Sequence, residues 1–367
     1  LELIGRIADD PPRATGAVRA RLREARHLHS AERRLVADGV FDLVRYAGIL
    51  DRLGLRAPES RWDAWVAWQA GEDDAIPREL DRAVAEGDLA AVAGVPPPVA
   101  AALLDSLGGE AMAFARASNE RAPIVVRANR ARLTRDELRA RLAERGIGSE
   151  PSAVAPDALR IAGRANLEAA PEFRAGFFEV QDDASQAVAA WAGEGPPSDV
   201  LDFCAGAGGK SLALAALGWR VTAADIRADA LEELARRARR GGHRIATTLL
   251  RDALPPTWRG RFARVVVDAP CTGTGVWRRH PELRPRALQA EACAETQLEI
   301  ALRAAEAVAA DGTLLYATCS VLRREGEDVV AALLRRTGWI RRAPDRRWSP
   351  HRDGTDGFFA ALVGPPA

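Results

Sequence analysis

Lysine is almost missing from this 367-residue chain: of 52 basic residues only Lys210 is a lysine, and the rest are arginine. Genomic composition bias accounts for the arginines. A lysine kept at one position then marks a place that needs a compact ammonium. Cysteine is scarce too. Four residues (Cys204, Cys271, Cys293, Cys319) make no disulfide framework in so long a chain, and reduced thiols in a cytoplasmic protein are expected. No stretch approaches the roughly 20 uninterrupted apolar residues of a membrane span. The opening Leu1-Glu-Leu-Ile-Gly-Arg6 has no basic region followed by an apolar one, so no signal peptide is expected. Net charge is only +1, which does not announce a polyanion binder at the level of the whole molecule.

What is present is ordinary globular composition, 47% hydrophobic and 28% charged, in a chain long enough for two or more domains. Charge is unevenly spread. Residues 1–115 hold 14 Arg against 19 acids, whereas residues 116–165 hold 11 Arg against 6 acids. The middle segment is therefore the electrostatic candidate for a polyanion contact.

The front reads as helical. Residues 14–28 and 30–53 carry apolar side chains at three- and four-residue spacing, and Ser30 offers a cap without the Glu of a full capping box. Trp62, Trp65 and Trp68 share one helix face and read as core. Pro96-Pro-Pro98 precedes a helix from Val99. From Ala122 the texture changes to a strand over 123–127, a helix capped by Thr134 that runs to Arg145 and stops at Gly146, and a strand over 158–162. Beyond residue 176 strands and helices alternate. Strands are expected at 200–203, 221–225, 246–250, 265–268 and 313–317, with helices at 211–217, 228–240, 285–310 and 326–336 and a final strand over 357–363. Such alternation predicts a parallel, doubly wound sheet.

The chemistry sits at strand ends, where open α/β sheets bind ligands. The first strand runs into Asp202-Phe-Cys-Ala-Gly-Ala-Gly-Gly-Lys-Ser211, a glycine-rich turn that lets a ligand approach the backbone; the second ends in Asp225, placed to accept hydrogen bonds from a ribose. Gly209-Lys210-Ser211 also resembles the end of a P-loop, but the first glycine of that motif would fall at Cys204, which argues against an NTPase. Val265-Val-Val-Asp-Ala-Pro-Cys271 and Tyr316-Ala-Thr-Cys-Ser320 bring a carboxylate and two thiols to the ends of neighbouring strands. A thiolate is a strong intrinsic nucleophile, so covalent catalysis is the reading for Cys271 and Cys319. Cys293, on a helix with Leu298 and Ile300, reads as a small buried hydrophobe, and Cys204 as a packing residue of the turn.

These motifs resemble the Sun (NOL/NOP/Sun) family of RNA cytosine-5 methyltransferases, from Gly176-Phe-Phe-Glu-Val-Gln-Asp-Asp-Ala-Ser-Gln186 to Asp356-Gly-Phe-Phe-Ala360. Asp268-Ala-Pro-Cys271 and Thr318-Cys-Ser320 carry the likeness most specifically. Val126-Arg-Ala-Asn129 looks like the family's RNA-binding element, and the helical front resembles the NusB-like domain of the bacterial 16S ribosomal RNA member. Three departures stand out: Gly206-Ala207 in place of Ala-Pro, Thr272 in place of Ser, and Glu325-Gly-Glu327 in place of Glu-Asn-Glu.

The resemblance implies a helical domain over 1–115, an α+β RNA-binding connector over 116–170, and a Rossmann-like, S-adenosylmethionine-dependent methyltransferase domain over 171–367. It implies formation of 5-methylcytosine in RNA, ribosomal rather than transfer RNA, through a covalent Cys–base intermediate. Cys319 would attack the base, Cys271 would assist release, Asp268 would meet the base edge, and Lys210 would lie near the methionine moiety. Cys204, Ala205, Gly206, Ala207, Gly208, Gly209, Lys210, Asp225, Asp252 and Asp268 would surround the cofactor. Arg127, Arg278, Arg279 and His280 would face RNA. No metal and no membrane are expected. The chain is read as a monomer, its acidic front available to a protein partner. The different-class alternative is a ribosome-assembly factor with a vestigial fold, against which the intact Cys271, Cys319, Asp268 and Lys210 argue.

Overall fold

The computed structural model describes residues 14–25, 27–195, 197–251 and 253–366, so the opening Leu1–Arg6 and Asp252 lie outside the described residues. The chain divides into two compact units. The first holds the described residues up to Arg121 together with Thr272–Ala290. Its helices are α1 (Ala14–Glu24), α2 (Ser30–Arg45), α3 (Ala47–Arg52), α4 (Pro58–Ala70), α5 (Ala75–Ala85), α6 (Leu89–Ala93), α7 (Pro97–Leu107) and α8 (Ala111–Ala117). Proline sits at the first turn of α4 and α7, where a missing N–H costs nothing, and Gly71 closes α4 in the left-handed region. Glu32 accepts from the His29 N–H at 2.6 Å, so the box closes one residue before Ser30. The helix expected over 30–53 breaks at Tyr46. Beyond the break Gly48 lets α3 lie directly on α6: a Cβ there would meet the Ala91 carbonyl oxygen at 2.4 Å. Trp65 is core, its indole donating to Asp42 at 3.2 Å, while Trp62 and Trp68 are half-buried beside it.

Thr272–Ala290 belongs to this helical unit although it follows the Pro-Cys motif directly. Trp277 is buried 6.0 Å from the Phe114 ring. Arg284 is buried as well, donating to the Arg45 carbonyl, to the Ser118 carbonyl at 3.3 Å and to Asn119 at 2.7 Å. Burial, reinforced by Arg45, holds the Arg284 guanidinium below its ordinary range. The helix expected over 285–310 is therefore corrected at both ends. Pro281–Gln289 is a 3-10 stretch with Pro285 inside it, and α-helix covers only Ala290–Ala305.

The second unit holds Ala122–Cys271 and Glu291–Ala367. It opens with β1 (Ile124–Ala128), α9 (Arg135–Glu144), β2 (Ser149–Pro151), β3 (Ala158–Ile161), α10 (Pro171–Arg174) and β4 (Phe178–Val180), whose strands form an antiparallel sheet in the order β2-β3-β1-β4. Because β4 pairs with β1, the boundary drawn at residue 170 cuts through a sheet. Thr134 and Glu137 cap α9 reciprocally, as the sequence suggested for Thr134.

The larger sheet follows: α11 (Asp183–Ala192), β5 (Asp199–Asp202), α12 (Gly209–Ala216), β6 (Arg220–Asp225), α13 (Ala228–Gly241), β7 (Ala246–Leu249), β8 (Phe262–Asp268), α14 (Ala290–Ala305), β9 (Val308–Thr318), α15 (Glu327–Thr337), β10 (Ile340–Arg341), β11 (Arg346–Trp348), α16 (Pro350–Asp353) and β12 (Phe358–Gly364). Strand order is β10-β12-β9-β8-β5-β6-β7, with β11 also on β12. Strands β5 to β9 are parallel and β12 enters antiparallel beside β9, which is the doubly wound sheet that the alternation predicted. One core lies on each face, around Val265, Val267, Leu314 and Tyr316 and around Val200, Val266, Leu315 and Ala360. Side chains of period two on β8 and β9 thus fill both layers. Among the described residues no helix is long and apolar enough to cross a membrane.

Candidate active site

The site is built where the parallel strands end. After β5 the chain turns through Gly206 at φ +53° and Gly208 at φ +88°, both left-handed, into the first turn of α12. A Cβ on Gly208 would lie 2.6 Å from Leu234, so this glycine is required for space as well as for conformation. Asp225, at the end of β6, holds the turn. It accepts from the Gly206 N–H at 2.7 Å, the Arg227 N–H at 2.9 Å and the exposed Arg227 guanidinium at 3.1 Å. Burial pushes the Asp225 carboxyl up, but these hydrogen bonds outweigh it and leave it below its ordinary value. Asp202, at the end of β5, has the opposite fate: full burial raises its carboxyl to about 6, although Ser211 donates to it at 2.6 Å. Burial likewise raises the Cys204 thiol.

The chain's one lysine side chain is buried, 5% exposed, with Nζ 2.5 Å from Asp268 Oδ2 and 3.3 Å from Ser185 Oγ, and 5.2 Å from the centre of the Phe358 ring. Lys210 is committed to a carboxylate, not held out to a phosphate, which disposes of the P-loop alternative. Asp268 is 35% exposed at the end of β8, opposite Ala317 of β9. β8 ends at that pair and β9 one residue beyond it, and the loops that follow present the thiols: Cys271 Sγ lies 3.3 Å from Cys319 Sγ, the first buried and the second half-buried. Sequence placed the two cysteines on neighbouring strands; the structure brings their sulfurs into contact.

Beside them opens a cavity of about 590 Å³ lined by Phe203, Cys204, Ile226, Leu250, Pro270 and Ile300, with Asp225, Arg227, Asp268, Glu299 and Arg303 at its polar margin. Ile226 is 73% exposed here, an apolar face offered to a flat ring. An acid for ribose hydroxyls, a glycine turn for the backbone approach and apolar walls for adenine fit S-adenosylmethionine. Of the residues expected around it, Cys204, Asp225 and Asp268 line the cavity. Ala205, Gly206, Ala207, Gly208 and Gly209 form the adjoining turn and helix start, which Arg237 steadies by donating to the Ala207 carbonyl at 2.6 Å.

The arginines expected to face RNA are placed differently. Arg127 is 5% exposed, donating to the Gly209 carbonyl at 2.8 Å and to Gln181, and burial lowers its guanidinium to about 10. It braces the start of α12 from β1 and is not turned to a phosphate. Arg278 is buried in the helical unit, where it donates to the Arg121 carbonyl at 3.3 Å and its own carbonyl accepts from Arg45 at 2.9 Å. Arg279 and His280 are half-buried, the His280 ring 3.1 Å from Glu282. Arginine in this chain is used as a buried tie as well as a surface charge, a use that residue type alone does not reveal. Ser185 and Phe358 were overlooked as site residues although both stand inside the stretches that carried the family likeness.

A parallel sheet with a reversed last strand, a glycine turn after β5 and an acid ending β6 define the Rossmann-like fold of S-adenosylmethionine-dependent methyltransferases. The comparisons with known proteins narrow the class. Residues 194–363 match the family described as 16S rRNA methyltransferase RsmB/F, and residues 99–168 match the ferredoxin-like domain of RsmF/B-like methyltransferases. These stretches are an RsmB/F (Sun family) methyltransferase domain and the ferredoxin-like domain of such enzymes. Ribosomal RNA small subunit methyltransferase B of Shigella flexneri is 33% identical over 263 residues, 68% of this chain and 61% of that protein. The chain thus spans about three fifths of the length of the curated relatives it matches. Two solved structures from Pyrococcus horikoshii share the fold. A methyltransferase homolog is 22% identical with a TM-score of 0.67, covering 76% of this chain and 98% of that one. NSun6, solved with SFG, is 18% identical with a TM-score of 0.65, covering 74% and 98%.

Proposed function

We propose that this protein methylates carbon-5 of a cytosine in 16S ribosomal RNA through a covalent Cys319–base adduct. The observation that carries the reading is the pair of thiols in contact beside the Lys210–Asp268 ion pair at the mouth of the cofactor cavity. Carbon-5 of cytosine is a weak nucleophile until carbon-6 is attacked. Cys319 thiolate forms the bond to carbon-6, while a proton shared by the Lys210–Asp268 pair moves to ring nitrogen 3, where negative charge would otherwise build. The ring is then an enamine whose carbon-5 is nucleophilic. S-adenosylmethionine, which Asp225, Ile226 and the glycine turn would hold, would supply the methyl group: the bond to carbon-5 forms as the methyl–sulfur bond breaks, leaving S-adenosylhomocysteine. Cys271 thiolate next removes the proton from carbon-5; the electron pair re-forms the ring double bond and expels Cys319, and nitrogen 3 returns its proton. Nucleophile and proton acceptor must reach adjacent ring carbons, which is why two touching sulfurs support this chemistry better than one. The target base must leave its stack to reach them.

The relatives' names supply the substrate class, and transfer RNA is the comparison arm. Labelled S-adenosylmethionine is incubated with unmodified ribosomal and transfer RNA and the product is mapped. The expected result is label at one cytosine of 16S RNA. Cys319→Ala abolishes it, and Cys271→Ala accumulates a protein–RNA adduct that survives denaturation. Full activity of Cys319→Ala would refute the nucleophile assignment, and label confined to transfer RNA would refute the substrate.

A further inference from the structure

Behind the two thiols lies a polar network that the transfer chemistry leaves unused. Gln297 on α14, Tyr316 on β9, Ser320 just beyond it and Glu325 in the turn before α15 are all fully buried. Gln297 Nε2 donates to the carbonyl of Pro270, the residue before Cys271, at 2.9 Å, and to Glu325 Oε1 at 3.0 Å. The other Glu325 oxygen accepts from the hydroxyl of Ser320, the residue after Cys319, at 2.6 Å. Tyr316 closes the ring, its hydroxyl lying 3.0 Å from Gln297 Oε1 and 2.6 Å from the Glu325 carbonyl. One carboxylate and one amide therefore tie the two thiol-bearing loops together from beneath.

A buried carboxylate is expensive, and apolar residues of equal volume often stabilise a fold better. A fully satisfied polar network offers direction instead: it fixes groups to a small fraction of an ångström, where apolar packing tolerates slippage. Glu327, two residues on, has separate work in pairing with Arg347, so the acids of this motif are not interchangeable. Gly326 between them lets the turn pass the Phe359 ring, which a Cβ would meet at 3.0 Å.

We propose that Glu325 and Gln297 are positioning residues that set the distance between Cys271 and Cys319, by holding the Pro270 carbonyl and the Ser320 hydroxyl in one frame. The proposal rests on the reading that both thiols serve one base, and it concerns how their spacing is held.

The test uses the full chain without RNA. Diamide takes one hydrogen from each thiol and becomes the hydrazine, leaving a Cys271–Cys319 disulfide identified by peptide mass mapping. In the wild type this bond closes first among the four cysteines. Gln297→Leu and Glu325→Gln slow its closure by about tenfold, as expected for a lost directing hydrogen bond. S-adenosylhomocysteine affinity stays within about twofold, because Pro270 alone of the named cavity-lining residues meets the network, and it does so through its backbone carbonyl. In methyl transfer the same variants lose kcat with the cofactor KM unchanged. Where Gln297→Leu does not fold, Tyr316→Phe removes a single oxygen and carries the same test. Closure at the wild-type rate in the folded variants overturns the proposal. Normal methylation by Cys319→Ala would instead overturn the reading of function while leaving the closure result to stand or fall by itself.

Discussion

Replacing Asp202 by Asn gives a pH-dependent stability difference whose size follows from the structure. The carboxyl is fully buried at the end of β5, one oxygen accepting from Ser211 at 2.6 Å and the other without a hydrogen bond. Burial raises it from an ordinary 3.8 to about 6. A carboxyl whose folded value lies above its unfolded value binds its proton more tightly when folded. Its contribution to stability is complete below pH ~4 and is lost as pH rises through about 6. A rise of that size corresponds to about 3 kcal/mol. Asn cannot titrate, so it escapes this loss, at a fixed cost for an amide N–H that must replace the unpartnered oxygen. The stability of Asp202→Asn relative to wild type therefore improves by about 3 kcal/mol between about pH 4 and about pH 8, whatever its offset at either end. Urea denaturation at half-unit steps across that range measures it. A difference that is flat with pH would mean that the Asp202 carboxyl is not carried as an uncompensated buried charge.

Three further outcomes follow from the site and its supports. Lys210→Arg keeps the charge but forces a planar, bulkier group into the pocket beside Ser185 and Phe358; methyl transfer in single turnover should fall about a hundredfold, and an unchanged rate would remove Lys210 from the chemistry. Gly208→Ala adds a Cβ at φ +88° against Leu234, which should cost about 2–3 kcal/mol in urea melts and weaken S-adenosylhomocysteine binding in calorimetry. Arg284→Met removes the donor to Arg45, Ser118 and Asn119 within the helical unit and should lower stability by about 3 kcal/mol; a neutral result would mean that these carbonyls are satisfied without it.

The parallel sheet was legible because its strands are short apolar runs ending in acids, cysteines or glycines, as at Val265–Val267 and Asp268, and because turn residues separate them from amphipathic helices. Fold class, cofactor turn and the two thiols followed from that pattern. Helix ends were less legible. The run from Ala301 to Ala307 is strongly helix-forming and alanines follow Val308, yet the helix stops at Ala305 and β9 begins at Val308, which pairs with Phe262. The chain's departure into the helical unit after Cys271 left no mark in the sequence, since neither residue type nor spacing marks Arg278 and Arg284 as buried until the carbonyls around them are seen. The same holds for Gln297 and Glu325: a buried network is a property of side chains far apart in sequence, and neither residue type nor spacing announces it.

The lone lysine has a practical consequence. A lysine-specific protease has one bond to cut, after Lys210, in the first turn of a helix and with its side chain 5% exposed. The native chain cannot enter such a protease there without opening the glycine turn and the start of α12. At low protease concentration the cutting rate therefore reads the free energy of that one local opening. Ligands that grip the turn should slow the cut in proportion to their occupancy, so proteolysis at a single bond becomes a label-free gauge of cofactor binding.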